Sequence, residues 1–376
     1  MPNQNSSLKS RTRTTVPKDR VASEDQLIER VVKALPSITP DRGAAVRLGH
    51  LRAPFGIGDD AAVLSPAGKE DWIVTCDAFI EGVHFLRHVH PADSVGCKSI
   101  ARAASDVAAM GGAPRAFLLT LALPQDCTAR WLDQFLAGMK RAALKLGLRL
   151  IGGDTTRTPL IFISVTVIGE IARGRAVKRS GARSGDLIYV SGRLGRAELG
   201  LQLLRGHITN ATSIRNSRNA SGALNSSAAL LQPHLYPEIR VELGAWLAQH
   251  RIASAMMDIS DGLSTDLPRL CLASGVGATI DARRIPRVQI AERIARRLPP
   301  AAADALQMAL HGGEDYELLF TVPRRNVARL RGAPGFPELT AIGEITRSRK
   351  ILLVDDAGSA LPLQPGGWDP FRARKK

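Results

Sequence analysis

The acids of this chain fall in short glycine-flanked runs, and their types and spacing are suited to holding a cation against phosphate. Asp59 and Asp60 follow Gly56 and Gly58, Asp77 closes an apolar run, and Asp106 lies in Ser-Asp-Val-Ala-Ala-Met-Gly. Asp154 follows Ile-Gly-Gly. Asp258, Ser260, Asp261 and Asp266 lie in Asp-Ile-Ser-Asp-Gly-Leu-Ser-Thr-Asp-Leu, and Glu314, Asp315 and Glu317 in Gly-Gly-Glu-Asp-Tyr-Glu. An Asp beside Gly ordinarily forms a turn or caps a helix, and Asp59 and Asp266 fit that role. The repeated order of apolar strand, acid, then small residue places several carboxylates where a fold can make them converge. Like charges about 4 Å apart repel by roughly 4 kcal/mol at an effective dielectric near 20, so a converging set needs cations. Oxygen donors without a His or Cys set select a hard ion, Mg²⁺ over Zn²⁺, and no EF-hand loop is present for Ca²⁺. Mg²⁺ held by a few carboxylates keeps positions for phosphate oxygens, which points to ATP-dependent phosphate chemistry. The P-loop pattern Gly-x-x-x-x-Gly-Lys-Ser/Thr is absent. Gly56-Ile-Gly58-Asp-Asp-Ala61 matches a dinucleotide pattern in form, but no strand is predicted before it and its two carboxylates would face a pyrophosphate.

These acids must be positioned by alternating strands and helices. Ser23 with Gln26 makes a capping box for a helix whose Leu27, Ile28, Val31, Val32 and Leu35 share one face. Trp72–Thr75 reads as a buried strand ending at Asp77, 93–110 and 128–146 as long helices, and Ile161–Ile168 as a β-branched strand. A basic, Gly-rich stretch over 173–185 separates this half from a second. There, strand Leu187–Val190, helices near Ala197–Leu204 and Pro237–Ala248, a strand before Asp258, helix Leu263–Leu270 and strand Glu317–Val322 follow. The fold class is therefore α/β in mixed α+β layers. Four segments result: a basic tail over 1–22, an N-terminal domain over 23–172, a C-terminal domain over 173–360, and a closing segment over 361–376. Residues 207–229, rich in Asn and Ser without periodicity, read as a mobile insertion.

At 376 residues, 44% hydrophobic and 23% charged, the chain can build a real core, which excludes disorder as the main state. Its net charge of +16 suggests polyanionic partners. Residues 1–22 and 371–376 carry +4 each, leaving +8 on the body. Aromatic residues are only 4%, and the basic runs are terminal, which argues against specific nucleic-acid binding. No apolar stretch is long enough for a signal-peptide core or a membrane span, so a cytoplasmic protein is expected. Cys76, Cys97, Cys127 and Cys271 form no metal signature and read as reduced, mostly buried thiols.

Taken in order, the motifs resemble those of the thiamine-monophosphate kinase family. Gly56-Ile-Gly-Asp-Asp60, Asp77 with Glu-Gly-Val-His84-Phe, Ser-Asp106-Val-Ala-Ala-Met-Gly and Ile-Gly-Gly-Asp154-Thr-Thr-Arg are similar to its N-terminal half. Arg179-Ser-Gly-Ala, Asp258-Ile-Ser-Asp261-Gly-Leu, Gly-Gly-Glu314-Asp-Tyr-Glu and Gly-Trp368-Asp-Pro-Phe continue the likeness, which covers about 24–371. The resemblance implies a two-domain fold of the aminoimidazole-ribonucleotide-synthetase-like superfamily, paired as a homodimer through its N-terminal sheets. It implies transfer of the γ-phosphoryl group of ATP to thiamine monophosphate, the last step to thiamine diphosphate, with several Mg²⁺ ions. Asp60, Thr75, Asp77, Asp106, Asp154, Asp258 and Asp261 look like the metal set, with Asp154, Asp258 and Asp261 catalytic. Gly153, Asp154, Arg179 and Ser260 resemble ATP contacts, and His84, Glu314 and Trp368 substrate contacts. Two other superfamily members, aminoimidazole ribonucleotide synthetase and selenophosphate synthetase, fit less well. The latter needs a reactive Cys in an N-terminal loop, and no Cys precedes Cys76. One departure is Thr75-Cys76-Asp77, where the family carries a hydroxyl residue at the middle position.

Overall fold

Ser23 starts the first helix as its capping pattern predicts: the hydroxyl accepts the Gln26 N–H at 3.3 Å, and α1 runs Glu24–Ala34. The computed structural model describes residues 23–34, 46–48, 51–55, 58–206, 226–296, 298–299, 303–331, 335–336 and 338–372. The basic tail over 1–22 and residues 207–225 of the insertion lie outside them. The chain divides into two compact units, one described by α1 and residues 369–372, the other spanning Pro40–Trp368.

Among the described residues, the larger unit holds two seven-stranded mixed sheets. The first is built from β1 (Val46–Leu48), β2 (Leu51–Phe55), β3 (Ala62–Ser65), β4 (Glu70–Ile80), β5 (Ala113–Leu123), β6 (Arg149–Arg157) and β7 (Phe162–Ala172). Their order is β1-β2-β3-β4-β7-β5-β6, with only the β5–β6 pair parallel. Helices α2 (Ala92–Ala109) and α3 (Ala129–Lys145) belong to this half. The second sheet is ordered β14-β13-β10-β12-β8-β11-β9. It uses β8 (Leu187–Ser191), β9 (Ala255–Ile259), β10 (Gly277–Asp281), β11 (Glu317–Val322), β12 (Leu339–Thr346), β13 (Ile351–Val354) and β14 (Ala360–Pro362). Around it lie α4 (Arg196–Gly206), α5 (Ser226–Leu235), α6 (Val241–Gln249), α7 (Leu263–Ser274), α8 (Glu292–Ala295), α9 (Ala305–His311) and α10 (Val327–Arg331).

Helix α2 is the centre of the packing. It touches α3, β4 and β7 on one side and α6 and β9 of the second half on the other. A helix enclosed on all sides must be small and apolar all round. Accordingly, Ala101, Ala103, Ala104, Val107, Ala108 and Ala109 are all buried. Contact with α3 is backbone to backbone: a Cβ on Gly138 would lie 1.8 Å from the Asp93 carbonyl oxygen, and one on Gly96 2.0 Å from that of Phe135.

The structure corrects five sequence expectations. Strand β4 continues past Asp77 to Ile80, so that acid lies inside a strand. Trp72 is 45% exposed, because helices cover one face of the first sheet and its other face is open. A strand, β2, does end just before Gly56, but its neighbours are antiparallel and a strand, β3, follows instead of the helix a dinucleotide site requires. Residues 226–229 of the supposed insertion form the first turn of α5. Of the four free cysteines only Cys271 is buried, and Cys76 is exposed.

Candidate active site

Asp60, Asp106 and Asp258 come from three distant segments, yet each offers a carboxylate oxygen within 4.8 Å of the others. Asp60 sits in the turn before β3, Asp106 in the last turn of α2, and Asp258 on β9. Side chains fix each one. Thr75 Oγ1 donates to Asp106 Oδ2 at 2.6 Å, Ser105 Oγ donates to Asp258 Oδ2 at 2.6 Å, and Arg179 Nη2 donates to Asp60 Oδ1 at 2.6 Å. Asp77 lies alongside, held by Arg102 Nε at 3.2 Å. Strand alternation puts Thr75 and Asp77 on the face toward α2 and Cys76 on the other, where its Sγ lies 3.4 Å from Ser164 Oγ. Only the Cys76 backbone carbonyl could serve the site, so the side-chain departure there leaves the acids undisturbed.

The cluster is electrostatically costly as it stands. Burial first, and then Asp77, Asp258 and Asp60, push the Asp106 carboxyl well above its usual range. Burial and Asp60 push Asp258 up to about 7. At 4.8 Å a pair of like charges costs roughly 3 kcal/mol. Asp60 Oδ2 is buried and has no hydrogen-bond partner among the described residues. A buried, unpartnered carboxylate oxygen beside two more carboxylates is an all-oxygen pocket that fits a hard divalent cation.

Around Ser260 the chain gathers two of the residues that the resemblance gives as substrate contacts. The Glu314 N–H donates to the Ser260 carbonyl at 2.7 Å and the Trp368 N–H to the Asp261 carbonyl at 2.9 Å. Asp261 itself is paired with Arg269 and stands outside the three-carboxylate group. Asp266, buried at the start of α7, accepts the Asp261 N–H at 3.0 Å. Glu314 has a left-handed backbone, with φ of 67°, and its carboxylate meets Lys98 Nζ at 2.6 Å. Burial would raise that carboxyl, but Lys98 and His234 outweigh it and hold it far below the usual range. His84 Nδ1 accepts the Ile80 N–H at 3.0 Å, and burial lowers its pKa to about 4, so the ring is neutral with its proton on Nε2. His84 feels the charges of Arg102, Glu314 and Asp77, which places it in the same electrostatic neighbourhood.

The neighbouring acids of the Glu314 motif are occupied elsewhere. Asp315 accepts the Gly195 and Ala197 N–H groups at the start of α4, and Glu317 pairs with Arg240. Gly153 and Asp154 lie apart from the cluster on β6, every residue of which is exposed. A Cβ at Gly153 would meet the Leu119 carbonyl at 1.8 Å, so the close β5–β6 approach requires glycine there. Sequence reasoning missed Lys98, Arg102, Ser105 and His234. A usable signal existed for three of them: Lys98, Arg102 and Ser105 recur at i, i+4 and i+7 in an alanine-rich helix and form one polar stripe that ends at Asp106. Hollows of about 250 and 360 Å³ lie beside Arg251 and beside His311; neither is lined by the three clustered acids.

Comparison with known proteins identifies the family and the fold. Residues 58–171 match the AIR synthase related protein N-terminal domain, and 183–356 match its C-terminal domain. Thiamine-monophosphate kinase of Escherichia coli K12 is 36% identical over 329 residues, covering 87% of this chain and 94% of its own. That of Bacillus subtilis is 34% identical over 342 residues, covering 89% and 98%. A solved structure of AaThiL complexed with AMPPCP and TMP superposes with a TM-score of 0.73 at 31% identity, covering 93% of this chain and 97% of its own.

Proposed function

The chain belongs to the thiamine-monophosphate kinase family, and we propose on that premise how its residues carry the reaction. The enzyme transfers the γ-phosphoryl group of ATP to thiamine monophosphate, forming thiamine diphosphate and ADP. The observation that carries the residue assignment is the largely buried Asp60–Asp106–Asp258 cluster, whose Asp60 Oδ2 has no hydrogen-bond partner among the described residues. These three acids, with Thr75 and Asp77 beside them, would hold Mg²⁺; the family resemblance adds Asp154 and Asp261, which in this chain lie apart, one on exposed β6 and one paired with Arg269. Bound there, Mg²⁺ supplies neutralisation of the phosphate oxygens. The acceptor is already an anion, so no strong general base is needed, and catalysis reduces to alignment and charge compensation. Arg179, kept charged by Asp60, adds a permanent cation on the ATP side, with Ser260 and Gly153 as further contacts. Neutral His84 offers its Nε2–H to substrate, and Glu314 and Trp368 converge through the backbone around Ser260 and Asp261.

A homodimer completes the reading. Leu150 and Ile151 on β6 are 57% and 59% exposed beside Asp154, and Trp72 stands on the open sheet face. A second copy seated there would bury this surface and take Gly153 and Asp154 out of water. The domain division near 172 and a cytoplasmic location belong to the same proposal. No helix among the described residues is long and apolar enough to cross a membrane. Incubation with ATP, Mg²⁺ and thiamine monophosphate tests the function: thiamine diphosphate and ADP should form in equal amounts. No product beside an active relative would overturn it.

A further inference from the structure

Glu314 is held by a buried chain of three side chains that the phosphoryl-transfer chemistry does not use. Lys98, 2% exposed on α2, approaches Glu314 Oε2 at 2.6 Å. His234 on α5 places Nδ1 3.3 Å from the same oxygen. Behind it, His234 Nε2 lies 3.1 Å from His90 Nε2, and His90 Nδ1 accepts the Leu86 N–H at 3.1 Å. His90 Nδ1 also lies 3.2 Å from the Leu86 carbonyl oxygen, and Lys98 Nζ lies 3.4 Å from His234 Nδ1. In the tautomer whose His90 Nδ1 accepts, the His90 proton is on Nε2 and is donated to His234 Nε2, and the His234 proton on Nδ1 faces Glu314. Burial keeps both rings below the ordinary histidine range, consistent with one proton each.

The consequence is asymmetric. Lys98 donates to Oε2 and His234 Nδ1 faces the same oxygen, and among the described residues Oε1 has no protein partner. The carboxylate's charge is already balanced by a buried ammonium 2.6 Å away. What remains for a ligand is one directional acceptor on a nearly neutral pair. A carboxylate meant as counter-ion to a cationic ring would be left without its own counter-ion.

Resting on the kinase reading above, we infer that Lys98 and His234 are positioning residues that turn Glu314 Oε1 into a hydrogen-bond acceptor for the substrate's amine, not a counter-ion for its thiazolium ring. Thiamine monophosphate carries one N–H donor group, the exocyclic amine of its pyrimidine. A site built to accept from such a group rejects an analogue lacking it far more strongly than one with a changed apolar surface.

Two measurements test this. With the wild-type enzyme, an analogue whose thiazolium is replaced by a neutral thiophene should keep its apparent affinity within about threefold, whereas one whose amine is replaced by an oxo group should lose at least about tenfold. The reverse order overturns the proposal. In variants, Lys98→Met and Glu314→Gln should each raise the KM for thiamine monophosphate by about tenfold while the KM for ATP holds within about twofold. The charge-neutral double variant should recover most of that loss, because the two changes restore each other's balance. A double variant no better than the worse single overturns the proposal. The analogue pair needs no variant to fold. Wild-type failure to phosphorylate thiamine monophosphate would remove the kinase reading and this proposal together; normal turnover with the reversed analogue order removes the proposal alone.

Discussion

Asp258 is buried on a strand, bonded to Ser105 and surrounded by acids, and its pKa is pushed up to about 7 mainly by that burial. A carboxyl raised in the folded state contributes stability below its unfolded value that is lost as pH rises through about 7. His84, His90 and His234 work in the opposite sense, since buried neutral rings lose stability as pH falls below their unfolded value. The global pH profile therefore mixes signs, but the metal-linked part does not. Mg²⁺ must displace the Asp258 proton, so the rise in Tm produced by Mg²⁺ should be small near pH 5.5, grow through about 7 and level off near 8. Thermal melts with and without Mg²⁺ measure it, and Asp258→Asn should flatten the dependence. The same substitution, or Asp106→Asn, should lower kcat by about a hundredfold or more while circular dichroism stays native. Wild-type turnover in either variant would remove that acid from the metal set.

Helix α2 is the element on which the site depends. Its alanines let two sheets approach from opposite sides, and its one polar stripe, Lys98, Arg102, Ser105 and Asp106, supplies groups to Glu314, Asp77, Asp258 and the metal cluster in turn. Its register against α3 is set by the Gly96 and Gly138 approaches. Gly138→Val should therefore destabilise the protein by about 3 kcal/mol in urea unfolding, since a side chain there meets the Asp93 backbone and neither helix can yield without moving the stripe. Residual folded protein should show a larger loss in kcat than in melting temperature. A neutral result would mean that α2 and α3 can separate without cost.

At the scale of the whole molecule, β6 is the unfinished part. It places Asp154 and Gly153 in solvent between exposed Leu150 and Ile151 on one side and Thr155 and Thr156 on the other. On the homodimer proposed above, Ile151→Glu should shift sedimentation from dimer to monomer and reduce activity, whereas a wild-type chain that sediments as a monomer, or an unchanged coefficient in the variant, would overturn a β6 contact. The net charge of +16 explains little of this, since half is terminal and the site is acidic. The sequence alone determined a mixed α/β chain, because apolar periodicity and capping are local: Ser23 and Gln26, the two long helices and strand Glu317–Val322 are legible within a dozen residues. It also marked the acids as candidates, because glycine-flanked carboxylates are a compositional signal. Only the tertiary structure separated them by role. Asp315 and Asp266 became caps, Glu317 an ion-pair partner, and Asp60, Asp106 and Asp258 neighbours. That sorting depends on which distant segments α2 brings together, and Lys98 and His234, 136 positions apart, meet over Glu314 by a contact that no local pattern encodes.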